Sequence, residues 1–276
     1  MSYKFDLTGK TAVITGAAGV LCSSFAKALA GCGAKIALLD INLQGAQAVA
    51  DEIAKNGGCA AAFTADVLNK ASLAECKRQV IEKYGKIDIL INGAGGNHPG
   101  ATTSSEVWQA DDASGKTFFD LDEKGVRFIF DLNFLGAFLT TQVFGEQVGE
   151  GGVIINVSSM NAFRPLTKIP AYSAAKASIS NFTQWLAVHF APRGVRVNAL
   201  APGFFSSAQN KQLLFNQDGT LTERSKKILS HTPMNRFGVP EDLFGSLLYL
   251  TDNAASGFVT GVVLPVDGGF SAYSGV

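Results

Sequence analysis

The sequence predicts an α/β fold in which one doubly wound parallel sheet of about seven strands is flanked by helices. Short apolar runs rich in Val and Ile alternate along the chain with longer amphipathic stretches. Continuous apolar runs are typical of strands buried on both faces, as in parallel sheets. Right-handed crossovers through the intervening helices then join the strands into one open sheet.

The strands and helices are predicted in alternation. The strands are residues 11–15, 35–40, 59–64, 87–92, 152–158, 195–200 and 262–265. The helices are residues 21–30, 44–55, 72–84, 126–148, 174–190 and 241–251. No low-complexity tract, repeat or linker-like run interrupts this order, so residues 1–276 are predicted to form a single domain.

Composition excludes several functional classes. The 23 Lys+Arg residues balance the 23 Asp+Glu residues, so there is no electrostatic reason to expect a nucleic-acid partner or a polybasic membrane-surface protein. No run approaches about 18 uncharged apolar residues, so no membrane partner is expected. The first ten residues lack the apolar segment of a signal peptide, which favours a soluble, cytoplasmic protein.

Two long stretches do not fit the alternation. Residues 97–125 are polar and rich in Gly, Ser and Asp, with Trp108, Phe118 and Phe119 among them, and residues 204–232 carry their own weak helical pattern. Both follow the carboxyl ends of predicted strands, where open α/β sheets bind ligands. We interpret the first as an insertion and the second as a substrate loop, the alternative being surface loops without function.

A metal site is not expected. The four cysteines form no CxxC motif, and the three histidines are scattered. The simplest interpretation is that the cysteines are small buried hydrophobic residues of a reducing compartment.

The first predicted strand runs directly into a glycine turn that opens a helix. The sequence there is T-G-A-A-G-V-L-C, residues 15–22. Such a turn presents backbone N–H groups and the positive end of a helix to a pyrophosphate. The usual G-x-x-x-G-x-G spacing is broken, because Val20 and Cys22 occupy the later two glycine positions and Gly19 lies one residue early. An ordinary strand–helix turn is the alternative; the residues predicted to hold a dinucleotide are Gly16, Ala18, Gly19, Val20 and Leu21.

An acidic residue at the end of the second strand strengthens the prediction. Asp40 lies 24 residues after Gly16, where a carboxylate accepts hydrogen bonds from adenosine ribose hydroxyls. It would repel a 2′-phosphate, so NAD is favoured over NADP. There are further candidates for cofactor contact: Ile41 next to Asp40, Asp66 and Val67 after the third strand, and Asn92, Gly93 and Ala94 after the fourth.

The chemistry is predicted from Ser159, Tyr172 and Lys176. Tyr and Lys four residues apart on a helix share one face, and a nearby ammonium lowers the pKa of a phenol. Ser159, at the end of the fifth strand, is able to hydrogen-bond the same substrate oxygen. An exposed Tyr–Lys pair on a helix is the alternative, and the accompanying Ser, Asn-Gly-Ala-Gly and Thr-Gly motifs argue against it.

These motifs together resemble the short-chain dehydrogenase/reductase family over the whole chain, with a Rossmann-like sheet. The resemblance implies that Tyr172 is the general acid/base, that Lys176 binds the nicotinamide ribose and tunes Tyr172, and that Ser159 stabilises the reacting oxygen. It also implies that Asn133 holds a water in a proton relay. The segment after the sixth strand resembles the family's PGxxxT motif and implies cofactor contact by Pro202, Gly203, Phe205 and Ser207.

A narrower resemblance concerns residues 16–22, 91–99, 201–205 and 270–276. They are similar to the bacterial D-mannonate oxidoreductase (fructuronate reductase) subgroup. This implies an NAD-dependent interconversion of a keto sugar acid and its hydroxy acid, D-fructuronate and D-mannonate. Another ketogluconate-type sugar acid, a β-ketoacyl thioester, or a nucleotide-sensing module without chemistry are the alternatives.

A sugar acid needs a cation for its carboxylate and polar groups for its hydroxyls. Arg164 and Lys168 lie between Ser159 and Tyr172, and either is a candidate for the ion pair, the alternative being solvated loop cations. The other candidates for substrate contact are Asn97, His98, Asn161 and Asn210. For His98 the alternative is a loop cap.

Assembly is inferred from the family. The helical stretches 128–148 and 172–190 carry apolar residues on more than one face, and in the resembling family these helices pair across a subunit interface. A homotetramer is expected, with a dimer as the second choice.

Overall fold

The computed structural model describes residues 4–110, 115–206 and 211–275. Its centre is a sheet of seven parallel strands in the order β3-β2-β1-β4-β5-β6-β7. The strands are β1 (Thr11–Thr15), β2 (Lys35–Asp40), β3 (Cys59–Thr64), β4 (Ile87–Asn92), β5 (Val148–Val157), β6 (Arg196–Pro202) and β7 (Val263–Val266). The strand order reverses between β1 and β4, so a crevice is expected at the carboxyl ends of these two strands.

Helices cover both faces of the sheet. The α-helices of the described residues are α1 (Val20–Gly31), α2 (Leu43–Lys55), α3 (Lys70–Tyr84), α4 (Glu123–Phe130), α5 (Gly136–Phe144), α6 (Pro170–Phe190), α7 (Lys211–Leu214), α8 (Glu223–Ser230), α9 (Phe244–Thr251) and α10 (Asn253–Ser256). A π-helical turn, Asp131–Leu135, joins α4 to α5. Short 3₁₀ turns include Pro99–Ala101, Phe118–Asp120, Gly145–Gln147, Met160–Ala162 and Pro240–Leu243.

The core lies in two layers, one on each face of the sheet. In β1, Ile14 packs with Phe25 of α1 in one layer, whereas its neighbour Val13 packs with Phe144 of α5 in the other. Successive strand residues point to opposite faces, so both must be apolar when both faces are covered. This is the physical reason for the uninterrupted apolar runs, and the predicted α/β sheet of seven strands is confirmed.

Element boundaries differ from the prediction mainly where caps and bends decide them. α4 begins at Glu123, inside the predicted insertion, because the Asp122 side chain accepts a hydrogen bond from the backbone N–H of Lys124. The predicted helix over 126–148 includes the π-turn, and β5 begins at Val148, where that helix was expected to end. Apolar periodicity does not distinguish such bends from a continuous helix.

One helical run, Glu123–Gln147, is by length and composition apolar enough to cross a membrane, with a mean hydropathy of 1.3. Half of the most apolar 18-residue stretch within this run is buried inside the fold. α5 packs on α3 and β4, and α4 packs on α6, so the run forms part of the core. The run contains charged residues, among them Arg127 and Asp131, so it is not one of the uncharged apolar runs to which the sequence-based expectation referred.

The cysteines are less uniform than predicted. Cys22 and Cys76 are buried, and burial raises the pKa of each thiol to about 12. Cys32 is partly exposed and Cys59 is exposed, because Cys59 is the first residue of the edge strand β3. The prediction of four buried cysteines was wrong for these two. Among the described residues, no group of three His, Cys, Asp or Glu side chains is arranged to hold a metal ion.

Candidate active site

A cleft of about 850 Å³ runs along the carboxyl edge of the sheet, across the point where the strand order reverses. It brings together most of the residues predicted for cofactor contact: Gly16, Gly19, Val20, Leu21, Asp40, Ile41, Asp66, Val67, Gly93, Ala94, Tyr172, Lys176, Pro202, Gly203 and Phe205. Ser207 and Asn210 lie outside the described residues.

The glycine turn after β1 leaves a backbone cradle at the cleft. Gly16 has a φ of +66°, and a Cβ there would lie 2.8 Å from the Cα of Ala94. α1 begins at Val20, and its N-cap, Gly19, supplies no side-chain hydrogen bond to the first turn. The first N–H groups of a helix lack partners inside the helix, and this end of α1 faces the cleft. The cradle therefore fits the pyrophosphate of a dinucleotide.

The altered glycine pattern is accommodated by a glycine at the neighbouring strand end. Cys22, which replaces the last glycine of the pattern, is buried and projects toward the chain after β4. A Cβ on Gly93 would lie 2.1 Å from the Cys22 Sγ and 2.8 Å from the carbonyl oxygen of Thr15. Gly93 thus provides the space that the thiol occupies.

The carboxylate of Asp40 links the end of β2 to the glycine turn. Its Oδ2 accepts a hydrogen bond from the backbone N–H of Ala18 at 2.9 Å, and its Oδ1 accepts one from Asn42 at 2.8 Å. Ala18 itself does not line the cleft; its contribution to the site is this bond. Since each carboxylate oxygen has a second lone pair, Asp40 is also able to bind ribose hydroxyls.

Asn92 does not reach the cleft. Its side chain is buried and donates to the Thr141 hydroxyl at 2.9 Å and to the Asn156 Oδ1 at 2.8 Å, so it joins β4 to α5 and β5. Its Oδ1 is buried without a hydrogen-bond partner among the described residues, and the predicted cofactor contact of Asn92 stays a prediction.

The predicted chemical groups meet at the middle of the cleft. Tyr172 and Lys176 lie one turn apart on α6, and the Nζ of Lys176 is 5.7 Å from the centroid of the tyrosine ring. That Nζ donates to the carbonyl oxygen of Val157 at 2.8 Å. Ser159, two residues after the end of β5, is hydrogen-bonded to the Tyr172 side chain. The exposed Tyr–Lys pair is thereby excluded, since Lys176 is only 4% exposed.

Burial governs the ionisation of both groups. It raises the pKa of the Tyr172 hydroxyl, and the hydrogen bond from Ser159 opposes this only in part. Burial lowers the pKa of the Lys176 ammonium to about 8. The sequence-based expectation was that Lys176 lowers the pKa of Tyr172. In this structure desolvation is the larger effect, and the lysine is directed to the backbone of β5 rather than to the phenol.

Asn133 lies behind the cleft, in the π-turn. Its Nδ2 donates to the carbonyl oxygens of Gly96 and Ile129, at 2.7 and 2.8 Å, and its Oδ1 accepts from the Gly96 N–H at 3.2 Å. Both amide hydrogens are therefore occupied by backbone. The arrangement makes Asn133 a positioning residue for the chain after β4, and the predicted water relay stays a prediction.

Two residues predicted for substrate contact form hydrogen bonds to other residues of the insertion. The Nδ1 of His98 accepts a hydrogen bond from the Gly100 N–H at 3.0 Å and caps the Pro99–Ala101 turn, and the ring packs 5.4 Å from that of Phe128. Asn97 donates to the Thr102 hydroxyl at 3.2 Å. Neither lines the cleft. For His98, the structure favours the alternative of a loop cap.

The loop between Ser159 and Tyr172 does not direct its cations into the cleft. The Nε of Arg164 donates to the carbonyl oxygen of Ser271 at 3.0 Å, which fastens this loop to the segment after β7. Lys168 has a φ of +71°, and its carbonyl oxygen accepts from the Thr103 N–H at 2.9 Å. Asn161 is buried beside Ser159, and its Oδ1 has no hydrogen-bond partner among the described residues.

Sequence reasoning missed several cleft residues, and three of them lie on helices outside the predicted motifs. Phe128 of α4, Leu214 of α7 and Arg224 of α8 line it together with the predicted set. The only available signal was that Leu214 and Arg224 lie within the substrate loop 204–232, because which side of a short helix faces the sheet depends on its tertiary packing.

The chain is similar over its length to several known oxidoreductases. A family model described as enoyl-(acyl carrier protein) reductase matches residues 16–271. The chain is 57% identical over 273 residues to an oxidoreductase of uncharacterised activity, UxuB, from Bacillus subtilis, covering 98% of each chain. It is 32% identical over 271 residues to 2-dehydro-3-deoxy-D-gluconate 5-dehydrogenase of Dickeya dadantii, covering 97% of this chain and 98% of the relative.

A solved structure is similar throughout. A protein from Haemophilus influenzae, provisionally named a D-mannonate oxidoreductase and crystallised with bound NAD, superposes with a TM-score of 0.95. It is 57% identical, and the similarity covers 98% of each chain.

Proposed function

This chain belongs to the short-chain dehydrogenase/reductase family and is an NAD-dependent oxidoreductase acting on CH–OH donors, and on that premise we propose that it interconverts a keto sugar acid and its hydroxy acid, D-fructuronate and D-mannonate. The observation that carries the proposal is the 57% identity over the whole chain to the NAD-bound protein provisionally named a D-mannonate oxidoreductase. The Dickeya dadantii relative, at 32% identity, is also named for a keto sugar acid.

The residues of the cleft fit the cofactor. The Gly16–Gly19 turn and the start of α1 would hold the pyrophosphate, Asp40 the adenosine ribose, and Lys176 the nicotinamide ribose. When bound, NAD accepts a hydride from the alcohol carbon, and NADH returns it to the carbonyl carbon.

The chain's own residues supply the proton and orient the reacting oxygen. In the direction of reduction, Tyr172 donates its phenolic proton to the carbonyl oxygen as the carbon receives the hydride, and the phenolate is then reprotonated from solvent. Ser159 donates a hydrogen bond to the same oxygen. Because burial raises the pKa of Tyr172, the phenol is protonated at neutral pH, which suits a general acid in carbonyl reduction.

The alternatives have specific support of their own. Reduction of another ketogluconate-type sugar acid is favoured by the Dickeya dadantii relative. Reduction of a β-ketoacyl thioester is favoured by a 31% identity to a 3-oxoacyl-[acyl-carrier-protein] reductase of Synechocystis. A nucleotide-sensing module without chemistry has no need for Ser159, Tyr172 and Lys176 to converge in one cleft.

We further propose that the chain forms one domain, is cytoplasmic and assembles as a homotetramer, with a dimer as the second choice. The support is an aromatic face on α5 and α6, where Phe138 and Phe182 stack at 5.4 Å between ring centroids and Trp185 is 57% exposed. Exposed aromatic faces of this kind mark subunit contacts. Light scattering at micromolar concentration tests this, and a monomer would contradict it.

The substrate and the cofactor preference are tested in one assay. Initial rates are measured from the absorbance of the reduced nicotinamide with D-fructuronate and either NADH or NADPH. Oxidation of NADH with D-mannonate as product is the expected result. Turnover with NADPH alone would contradict the assignment of Asp40, and no turnover by a protein shown to bind NADH would redirect the search to other carbonyl compounds.

A further inference from the structure

The charges that line the cleft are separated along its length. Of the described residues that line it, four carry charge: Asp40 and Asp66 at the ends of β2 and β3, Lys176 at its middle, and Arg224 on α8. Lys176 is buried and donates to Val157, so it is already engaged. Arg224 is exposed to the cleft and is the remaining cation.

The position of α8 places Arg224 beside the substrate segments. The neighbouring Lys227 forms an ion pair with Glu106 of the insertion. His231, which follows α8, packs against the rings of Phe270 and Tyr273, at centroid distances of 6.5 and 6.0 Å. The segment after β7 is in turn bonded to Arg164. α8 is thus fastened to the loops around the chemical groups and not to the strand ends that carry Asp40 and Asp66.

Arg224 differs from its neighbours in having no carboxylate partner among the described residues. Glu223 is paired with Lys226 at 2.6 Å, and Glu106 is paired with Lys227. Both of these carboxylates are therefore paired with lysines of α8, and the guanidinium of Arg224 is left available at the cleft. An arginine in this state is suited to bind a carboxylate through two parallel hydrogen bonds.

The cations that the sequence indicated for this task are directed elsewhere. Arg164 is bonded to the Ser271 carbonyl oxygen, and Lys168 does not line the cleft. We propose that Arg224 is the specificity-determining residue that binds the carboxylate of the substrate, and that the enzyme therefore selects anionic carbonyl compounds over neutral ones of the same size. This inference rests on the proposed function, which it deepens.

The anion that Arg224 binds has two possible sources, the carboxylate of the substrate and a phosphate of the cofactor, and the experiment separates them. Arg224→Met and Arg224→Lys are compared with wild type on D-fructuronate and on D-fructose, its neutral counterpart with CH₂OH in place of the carboxylate. The dissociation constant of NADH is measured by fluorescence. Arg193→Met serves as the matched control, since it removes an exposed guanidinium that does not line the cleft.

We expect Arg224→Met to lower kcat/KM for D-fructuronate about 10- to 100-fold, mainly through KM, with a smaller loss for Arg224→Lys. The rate with D-fructose and the NADH dissociation constant are expected to change less than about twofold. Salt is expected to raise KM for the acid in wild type and not in Arg224→Met. Where wild-type turnover of D-fructose is too slow to measure, D-mannonate and D-mannitol binding to the NAD-loaded Tyr172→Phe protein, with and without Arg224→Met, gives the same comparison.

Three results would overturn the inference: equal losses on the acid and the neutral compound, a rise in the NADH dissociation constant that accounts for the change, or an equal effect of Arg193→Met. If wild type does not reduce D-fructuronate, the proposed reaction fails by itself. The same comparison is then made with the keto acid that the enzyme does reduce and its neutral counterpart. If wild type reduces only neutral carbonyl compounds, the role of Arg224 fails too.

Discussion

The two ends of the cleft are built in different ways. The cofactor end consists of strand ends and the start of α1, held by contacts between neighbouring strands, such as the Asp40 carboxylate on the Ala18 N–H. The substrate end consists of long connections held to one another by single side chains, such as Glu106 on Lys227 and Arg164 on Ser271.

Because of this difference, the residues that determine the stability of the fold are not the same as those that determine substrate selectivity. A residue at the cofactor end is part of the sheet or of the turns that directly follow its strands, so a change there disturbs folding and cofactor binding together. A residue at the substrate end is joined to the fold through exposed contacts, so a change there alters substrate recognition at little cost in stability.

The largest effect is expected where the two ends meet. Replacing Tyr172 by Phe removes the proton donor and should lower kcat/KM by about 10²- to 10⁴-fold. Because the ring remains, the NADH dissociation constant and the thermal midpoint should stay close to wild type. Steady-state rates and fluorescence titration check this, with Tyr249→Phe, a partly exposed tyrosine of α9, as control. Unchanged turnover would contradict the assignment of Tyr172.

Replacing Lys176 by Met should abolish activity and yet stabilise the fold. The folded protein holds Lys176 with a pKa of about 8, against an ordinary value of 10.5 for a lysine in water, so at neutral pH its buried charge is unfavourable. After allowance for the lost hydrogen bond to Val157, the gain should be about 1–3 kcal/mol.

The pH dependence of stability tests whether the buried charge of Lys176 is the cause. Between pH 8 and 10.5 the unfolded wild type binds a proton that the folded protein has released. The stability of wild type therefore rises with pH in that window, and the advantage of Lys176→Met shrinks there. Denaturant unfolding at pH 7 and above pH 9, with the exposed Lys55→Met as control, measures this difference. An advantage that does not depend on pH would show that the charge is not its cause.

A smaller effect is expected from Gly93→Ala at the cofactor end. The added Cβ would meet both Cys22 and the Thr15 carbonyl oxygen, and we expect about 1–3 kcal/mol of lost stability together with weaker NADH binding. The double variant Cys22→Ala, Gly93→Ala should recover part of the loss, since the contact with Thr15 remains. Gly245→Ala, with open space around it, is the control. Thermal unfolding and NADH titration measure the result, and absence of any recovery would contradict the pairing of Cys22 with Gly93.

The smallest effect is expected from Glu106→Gln at the substrate end. The ion pair with Lys227 is exposed, so stability should change by less than about 1 kcal/mol. KM for the substrate should rise by a few-fold because α8 loses its bond to the insertion. Glu82→Gln, which removes an exposed ion pair on α3 far from the cleft, should leave KM unchanged. A large loss of stability from Glu106→Gln would show that the substrate end is part of the folding unit.

The sequence was sufficient for the cofactor end and the chemical groups because strand order places them. β1 to β4 occur where the apolar runs predict them, and the glycine turn, Asp40, Ser159, Tyr172 and Lys176 follow from their positions at strand ends and on one helix face. Asn92 does not line the cleft, because a polar residue at a strand end is equally able to bond inside the core.

The substrate end was predicted poorly for a physical reason. Arg224 and Arg164 are both arginines in long connections, and no local pattern distinguishes the one that faces the cleft from the one that bonds Ser271. Their roles depend on contacts between segments far apart in the chain. Such contacts leave no periodicity to detect.

The π-turn between α4 and α5 sets the rotational phase of the two helices. A regular α-helix advances about 100° per residue, and the wider turn at Asp131–Leu135 inserts an extra residue into that count. Deleting one residue from the turn would restore a uniform helix but would rotate Asn133 relative to α5. Either Asn133 would then turn away from Gly96, or α5 would turn away from the core. The irregular turn therefore lets one helical run direct Asn133 toward Gly96 and the apolar side of α5 toward the core. An insertion or deletion anywhere along this run would be tolerated far less well than a substitution.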